Sequence, residues 1–460
     1  MQRPKIKLLT LKERTNCMLF SNDISLSVKF QQFEGNSFET FTENGRSVFH
    51  MHSTQETKEL MCPICCGKVH VNSQYTVKLK TLPFFPGIWS ETHVDIHRYQ
   101  CQECGYTFTE DIPFRHEGTL VTERAAECIK CLLILSMPIS HIHCLTGIHW
   151  DTIRKIHCEV MDTTLEERQK ELKEAGYKPR YLAVDEFAIH KGHSYATCVM
   201  DLEQGDIIWV GKGRAKNDFI KFFQETDRDY LSEVKAIAMD MNASYNILVE
   251  KYMPGVDIVY DRYHMQSQYG KEVLGVVRLN DAREHNYLAK SKKAEALAES
   301  DPVKKRRLKA EAKEESKHYA ELKSSRWMLL TKNEKLTPKC VDKLNEIISE
   351  HEDLAICYAM KEEMCRLFDL DDVHQAEEGW KRWFDAAKAS NIPALVKFAE
   401  IKEKRLEGLI NHAKHGISTG KLEGMNNKIK VAKRIGYGFR NEQYFFTLIK
   451  YLSIPKVRNI

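Results

Sequence analysis

One stretch of alternating segments, residues 180–260, restricts the fold of this chain more than any other feature. Short apolar runs bounded by turn residues predict strands, and apolar residues at three- and four-residue spacing predict helices. These patterns give three strands, a helix, a strand, a helix and a last strand, at 180–189, 193–201, 207–210, 219–231, 236–239, 244–252 and 257–260. The order predicts an α/β sheet whose first and fourth strands lie side by side.

That order is the one found in the ribonuclease-H-like fold, and it has a chemical consequence. Asp185 lies in the first strand and Asp240 directly follows the fourth. Carboxylates on neighbouring strands can share two divalent cations about 3.5–4 Å apart, an arrangement used for phosphodiester chemistry. Oxygen ligands suit Mg²⁺ or Mn²⁺ better than zinc. We therefore expect Asp185 and Asp240 to bind Mg²⁺.

A third carboxylate, Glu423, opens a predicted basic helix near the end of the chain. Small and hydroxyl residues at 418–420 can cap that helix, and a carboxylate in its first turn stays ionised beside the positive end of the helix dipole. Three further residues follow Glu423 at helical spacing and are expected to contact DNA phosphates: Asn427, Lys430 and Arg434. Glu423 is the predicted third Mg²⁺ ligand.

Asp261 competes with Asp240 for the second acidic position. It follows the last predicted strand, and the segment Asp261-Arg262-Tyr263-His264 has the form Asp-x-x-His. Strand order favours Asp240, because the fourth strand carries the second acid in a ribonuclease-H-like sheet. His264 is predicted to lie near the site, either contacting the reacting phosphate or packing as a buried histidine.

Two Cys-x-x-Cys pairs, Cys62 with Cys65 and Cys101 with Cys104, predict a structural zinc site. Four thiolates form the tetrahedral ligand set that Zn²⁺ prefers, and a redox dithiol would not need a second pair. Cys66 adjoins the first pair, but its spacing fits less well than that of Cys65. The distance between the pairs predicts an additional hairpin.

The pattern of residues 138–156 predicts two helices joined by a turn at a glycine. Pro138 is expected to begin the first helix, Gly147 to supply the turn, and Ile153 and Ile156 to pack the second helix back. This is a candidate helix-turn-helix, although an ordinary helical hairpin has the same pattern. The predicted groove-facing residues are Thr152, Arg154, Lys155 and His157.

Composition places few limits on a nucleic-acid partner. The 69 basic and 65 acidic residues leave a formal charge of only +4, so DNA binding must be argued from local patches. No apolar run approaches the roughly 20 residues of a membrane span, and the first 30 residues lack the layout of a signal peptide. We expect a cytoplasmic protein with no membrane partner.

The remaining segments complete the predicted organisation. Residues 277–410 are rich in helical patterns and are interpreted as an all-helical insertion, in which Trp380 and Trp383 are core residues. The basic run at 304–307 is more typical of a solvated face than of a DNA contact. The full set of predicted segments is an N-terminal arm or small β element at 1–58, a zinc module at 59–112, a helix-turn-helix at 113–165, a linker at 166–178, and catalytic parts at 179–276 and 411–460.

Several of these segments together resemble the ISL-three family of bacterial insertion-sequence transposases. The resemblance extends from Cys62 onward and rests on Val184-Asp185-Glu186-Phe187-Ala188, Met239-Asp240-Met241, Val259-Tyr260-Asp261-Arg262-Tyr263-His264, Gly420-Lys421-Leu422-Glu423-Gly424-Met425-Asn426-Asn427-Lys428-Ile429-Lys430 and Gly436-Tyr437-Gly438-Phe439-Arg440-Asn441. It implies a ribonuclease-H-like domain with an Asp-Asp-Glu site of Asp185, Asp240 and Glu423, and a place in the bacterial cytoplasm at the nucleoid.

The predicted function is that of a DNA transposase. Such an enzyme would bind terminal inverted repeats, nick the ends by metal-assisted hydrolysis and join the 3′-hydroxyls to target DNA, and synapsis of two ends implies a homodimer. Two alternatives remain open: a transposase-derived DNA-binding regulator without catalysis, and a structure-specific nuclease that hydrolyses strands without joining them.

Overall fold

The computed structural model describes residues 34–43, 46–54, 60–85, 88–109, 111–190, 194–436 and 438–458. The chain divides into two compact units between Thr163 and Thr164. Most of the predicted N-terminal segment, residues 1–33, lies outside the described residues.

The described strands of the first unit form one sheet. They are β1 (Glu34–Glu43), β2 (Arg46–Thr54), β3 (Val69–Phe85), β4 (Ile88–Cys101) and β5 (Thr107–Thr109), in the order β1-β2-β4-β3 with β5 also paired to β4. β3 and β4 form a long antiparallel hairpin in which Val69 pairs with Cys101. The hairpin expected between the two cysteine pairs is thereby confirmed.

Three helices follow this sheet: α1 (Glu123–Ile134), α2 (Ile139–Thr146) and α3 (Trp150–Glu174). Pro138 is the residue before α2, and Gly147 ends that helix in the left-handed conformation, with φ of 68°. Ile153 and Ile156 are fully buried in the core shared by the three helices. The predicted helix, glycine turn and helix are confirmed. α3 continues without a break into residues predicted as a linker.

The second unit contains a five-stranded sheet within its described residues. Its strands are β6 (Tyr181–His190), β7 (Ser194–Asp201), β8 (Ile207–Lys212), β9 (Ala236–Met239) and β10 (Asp257–Tyr260), in the order β10-β9-β6-β7-β8. β6, β7 and β8 form an antiparallel meander, while β6, β9 and β10 run parallel. The predicted pairing of the first and fourth strands is confirmed, and the fold is mixed α/β.

Helices cover both faces of this sheet. One face packs against α4 (Lys216–Glu225) and α5 (Ala243–Tyr252), and the other packs against α15 (Gly420–Ile435) and α16 (Glu442–Ser453). Side chains alternate along β6 because successive residues of a strand point to opposite faces. Leu182 and Val184 therefore join the first core, and Ala183 and Phe187 join the second.

The helix predicted at 219–231 is wrong in its limits, since α4 begins at Lys216 and ends at Glu225. Thr226 is extended, and the carboxylate of Asp227 accepts a hydrogen bond from the backbone N–H of Asp229. Such local side-chain bonds compete with helix formation and favour turns. The side chain of Leu231 is buried as an apolar helix residue would be, but Leu231 lies in a turn.

Between β10 and α15 the regular structure of residues 261–419, all of them described, is entirely helical. Trp380 and Trp383 are buried in the core of this region, as predicted. The elements are α6 (Arg262–Tyr269), a π-helix (Gly270–Leu274), α7 (Gly275–Ala298), α8 (Pro302–Ser324), α9 (Arg326–Leu330), a 3-10 helix (Asn333–Lys335), α10 (Pro338–Glu350), α11 (Glu352–Leu367), α12 (Val373–Ala389), α13 (Pro393–Glu403) and α14 (Leu406–His415). A short α17 (Pro455–Arg458) follows α16.

Among the described residues, no helix combines the length and the apolar character that crossing a membrane requires.

Candidate functional site

Three aspartates stand in register on the three parallel strands of the second sheet. Ala238 of β9 pairs with Ala183 of β6 on one side and with Val259 of β10 on the other. Each aspartate lies two residues after one of these paired positions: Asp185 after Ala183, Asp240 after Ala238 and Asp261 after Val259. Because side chains alternate with a period of two, Asp185 and Asp240 share the face that packs against α15.

Both carboxylate oxygens of Asp185 accept a hydrogen bond. Oδ1 accepts from the backbone N–H of Glu186 at 2.7 Å, and Oδ2 accepts from Nδ2 of Asn426 at 2.6 Å. Burial is the main cause that raises the pKa of Asp185, although both hydrogen bonds favour the ionised form. A half-buried carboxylate with two donors and further lone pairs is well placed to bind a cation.

Asp240 is partly open to solvent. Its Oδ1 accepts from the backbone N–H of Met241 at 2.6 Å, and its Oδ2 lies 3.4 Å from Nδ1 of His264. The side chain of Asp240 is 42% exposed and that of His264 is 34% exposed. His264 thus lies beside the second acid of the predicted set.

Asp261, the competitor for that position, is buried and acts as a structural acceptor. One oxygen accepts from the backbone N–H of His264 at 3.0 Å, which caps the start of α6. The other accepts from both the backbone N–H and the hydroxyl of Thr419, the residue before α15. Asp261 therefore links the beginnings of two helices, α6 and α15.

Glu423 lies in the first turn of α15 with its side chain exposed. The helix is held against the sheet by Leu422, Met425 and Ile429, which are buried in the core that also contains Ala183 and Phe187. The structure therefore places Glu423 on the helix that covers the Asp185 face. The residues predicted to meet DNA are exposed on the same helical stripe as Glu423: Asn427, Lys430 and Arg434.

Among the Asp, Glu, Cys and His residues of the described chain, one group has three or more potential ligand atoms that all lie within 4.8 Å of one another. This group consists of four cysteines. The carboxylates of Asp185, Asp240 and Glu423 do not come that close.

The four clustered cysteines are those of the two predicted pairs, Cys62, Cys65, Cys101 and Cys104. Sγ of Cys62 lies 3.6 Å from that of Cys104, and Sγ of Cys65 lies 3.4 Å from that of Cys101. Tetrahedral zinc with Zn–S bonds of ~2.3 Å separates its sulfurs by about 3.8 Å, so the cluster could hold zinc with little movement.

Backbone N–H groups favour the thiolate form of Cys101, whereas the pKa of Cys65 and that of Cys104 are raised, in part by hydrogen bonds with the neighbouring cysteines. The N–H groups of Glu103 and Cys104 point to Sγ of Cys101 at 3.4 and 3.5 Å, and they are the main cause that lowers the pKa of Cys101 to about 6. Cys66 stays outside the cluster, in agreement with its spacing. Cys66 directly follows the first cysteine pair, as Gly105 directly follows the second. Both residues have a left-handed backbone, with φ of 56° at Cys66 and 73° at Gly105.

The predicted groove-facing residues of α3 are not all on one surface. Lys155 is exposed and donates to the carbonyl of Gly118 at 2.8 Å, Arg154 pairs with Asp151 at 3.0 Å, and Thr152 is half-buried. The prediction for His157 is wrong. His157 lies four residues after Ile153, and its side chain is buried on the core face of α3. This burial lowers the pKa of His157 to about 4.

Sequence reasoning missed three side chains that contact the acids or their loop. Asn426 bonds Asp185, while Lys402 and Arg405 hold Met241, the residue after Asp240: Lys402 Nζ lies 3.4 Å from its sulfur and Arg405 donates to its carbonyl. Asn426 carried a usable signal, because it lies on the apolar stripe of α15 between Leu422 and Ile429. Lys402 and Arg405 carried none.

Comparisons with known proteins show the family to which this chain belongs. A family model described as Transposase, of the ISL3 group, matches residues 182–449, which include all the acids discussed above. The chain is 30% identical over 397 residues to the transposase of insertion sequence element IS1001 of Bordetella parapertussis, covering 85% of this chain and 88% of that protein. It is 26% identical over 275 residues to the transposase of IS1557 from two Mycobacterium tuberculosis strains, covering 58% of this chain and 59% of each relative. The chain belongs to the ISL3 family of transposases.

Proposed function

We propose that this chain is an Asp-Asp-Glu DNA transposase that binds terminal inverted repeats, nicks them and joins the 3′-hydroxyl ends to target DNA. The observation that carries the proposal is the register of the parallel strands. It brings Asp185 and Asp240 to the same level of the same sheet face, and Glu423 lies on the helix that covers that face. Membership of a transposase family supports the assignment.

We further propose that the second unit is a ribonuclease-H-like domain interrupted by a helical insertion. The strand order β8-β7-β6-β9-β10, with an antiparallel meander followed by two parallel strands, supports the first part. The helices between β10 and α15 support the second, because the chain returns to the sheet only at α15. Glu423 then lies far from Asp240 in sequence but on the same domain.

The acids fit a pair of divalent cations, Mg²⁺ or Mn²⁺. Their donor atoms are carboxylate oxygens, Asp185 has its orientation fixed by two hydrogen bonds, and Asp240 is accessible from solvent. Bound cations would activate the attacking hydroxyl and stabilise the leaving oxygen. In this proposal Asp185 and Asp240 are shared ligands, Glu423 is the third ligand, and His264 contacts the reacting phosphate.

Asp240 is the better candidate for the second acid. Asp261 uses both oxygens to hold His264 and Thr419, and it is only 4% exposed. Asp240 has no comparable set of donors, and its carboxylate faces solvent beside His264. We assign Asp240 to cation binding and Asp261 to positioning α6 and α15.

DNA recognition is assigned to both units. In the first, Thr152, Arg154 and Lys155 of α3 would read terminal repeats, with the cysteine cluster stabilising the adjoining hairpin. In the second, Asn427, Lys430 and Arg434 lie on the exposed side of α15, beside the acids. Two ends must be held together for joining, so a homodimer is the proposed active form.

Cleavage of a labelled terminal-repeat duplex in Mg²⁺ tests the assignment of the second acid. Asp240→Asn is expected to reduce cleavage by roughly 10³-fold, because cation stabilisation contributes several kcal/mol, while the melting temperature stays near the wild-type value. Asp261→Asn removes hydrogen bonds to a buried charge and is expected to lower the melting temperature by roughly 3–10 °C.

The two variants also provide each other's control. Asp261→Asn should retain more cleavage than Asp240→Asn when both are assayed below their melting transitions. The opposite ranking, with Asp240→Asn active and a folded Asp261→Asn inactive, would assign the second acid to Asp261.

A further inference from the structure

Asn426 is a buried polar residue on a helix face that is otherwise apolar. It is 8% exposed, and it shares the buried face of α15 with Leu422, Met425 and Ile429. Its Nδ2 donates to Oδ2 of Asp185 at 2.6 Å, across 241 residues of sequence. It also lies three residues after Glu423, so it follows that acid by almost one helical turn.

The orientation of this amide is fixed by the chemistry of its partner. An ionised carboxylate can only accept hydrogen bonds, so the NH₂ group of Asn426 must face Asp185. Its Oδ1 consequently points elsewhere. That oxygen is inaccessible to solvent and has no hydrogen-bond partner among the described residues.

A buried amide oxygen without a donor costs free energy, whereas an apolar side chain of similar size would fill the same space without that cost. Packing alone therefore does not account for an asparagine at this position. Mg²⁺ and Mn²⁺ reach such sites with part of their hydration shell, and these waters are hydrogen-bond donors. A hydrated cation bound at Asp185 would supply such donors close to Asn426.

We propose that Asn426 is a positioning residue of the acidic centre. Its Nδ2 fixes one oxygen of Asp185, and its Oδ1 accepts a hydrogen bond from a water that enters with the divalent cation. Because the same residue belongs to α15, it also couples the orientation of Asp185 to the placement of Glu423. This inference rests on the proposed function, because it requires a divalent cation at Asp185. It concerns the binding of that cation and does not depend on the joining of DNA ends.

The test is Mn²⁺ binding to the zinc-loaded full chain, followed by calorimetry. Asn426→Leu keeps the side-chain volume and removes both amide groups, and it is expected to weaken the Mn²⁺ affinity that depends on Asp185 by about 10–100-fold. Its melting temperature without Mn²⁺ should fall less than that of Asn411→Leu, because the lost donor to Asp185 is partly offset by removal of the unpaired Oδ1. On the terminal-repeat duplex, kcat should fall while KM for DNA stays unchanged.

Asn411→Leu is the matched control. Asn411 is also a buried helical asparagine, 7% exposed, but its Nδ2 donates to the carbonyl of Ile258 at 3.1 Å. This variant should melt at a lower temperature and bind Mn²⁺ like the wild type.

Three results would overturn the inference: wild-type Mn²⁺ affinity in Asn426→Leu, a destabilisation equal to that of Asn411→Leu with no specific loss of affinity, or no Asp185-dependent Mn²⁺ binding in the wild type. A wild-type chain that binds Mn²⁺ but cuts no DNA would instead count against the proposed function alone.

Discussion

Asp185→Asn is expected to abolish strand cleavage and at the same time to make the protein more stable near neutral pH. The loss of cleavage should be at least ~10³-fold, because the first cation ligand is removed. The gain in stability follows from burial, which raises the pKa of Asp185 above its ordinary value. Asparagine has no charge to bury, and it can still form hydrogen bonds with Glu186 and Asn426.

The sign of the pH dependence follows from proton binding. With a raised pKa, the folded protein holds the Asp185 proton more tightly than the unfolded chain does. Stability is therefore lost as pH rises from the ordinary aspartate pKa of ~3.9 through the raised value, and it stays lower above that window. Without added Mg²⁺, Asp185→Asn should melt about 1–3 °C higher than the wild type at pH 7, and the difference should shrink in acid.

Asp342→Asn on α10 is the control for this comparison, because Asp342 is exposed and lies outside the site. It should change neither cleavage nor melting. An Asp185→Asn variant that still cuts DNA, or that melts below the wild type at pH 7, would contradict the role and the environment assigned to Asp185.

The second large effect is expected from the cysteine cluster. The double variant Cys101→Ser, Cys104→Ser leaves two of four sulfur ligands, so it should not retain zinc. Zinc binding contributes ~10–16 kcal/mol of apparent free energy in small zinc modules, far more than one hairpin provides by itself. We expect residues 60–109 to become sensitive to protease and terminal-repeat binding to fall by at least ~100-fold, since the adjoining helices lose their support.

Cys66→Ser is the matched control, because Cys66 adjoins the first pair but lies outside the cluster. It should keep one zinc per chain and bind DNA normally. Zinc content measured by atomic emission, with proteolysis mapped by mass spectrometry, distinguishes the variants. Full zinc occupancy in the double variant would disprove the four-cysteine site.

Much of the fold could be predicted from local sequence patterns. Strands β9 and β10 were predicted at their observed residues, because short apolar runs between turns leave few alternatives. The helix limits at α4 were wrong, since the turn at Asp227 interrupts a continuing apolar pattern. Periodicity identifies which residues can be helical and does not identify where a side chain will stop the helix.

The site was less predictable than the fold. The sequence placed Asp185 within a strand and Asp240 and Asp261 directly after strands, but it did not predict the environment of any of these side chains. The bond from Asn426 to Asp185 and that from Thr419 to Asp261 span 241 and 158 residues. Such contacts depend on how α15 packs on the sheet, which no local pattern records. His157 failed for a different reason, because it lies four residues after the predicted core residue Ile153, and helical spacing already places the two on one face.

Strand transfer by the wild-type protein tests the central claim most directly. The protein is incubated in Mg²⁺ with a labelled terminal-repeat duplex and a plasmid target, beside Glu423→Gln as the inactive reference. The account predicts labelled ends covalently joined to plasmid by the wild type, with no joined product from Glu423→Gln. Cleavage without joining would identify a nuclease, specific binding without cleavage would identify a regulator, and either result would contradict the transposase mechanism proposed for Asp185, Asp240 and Glu423.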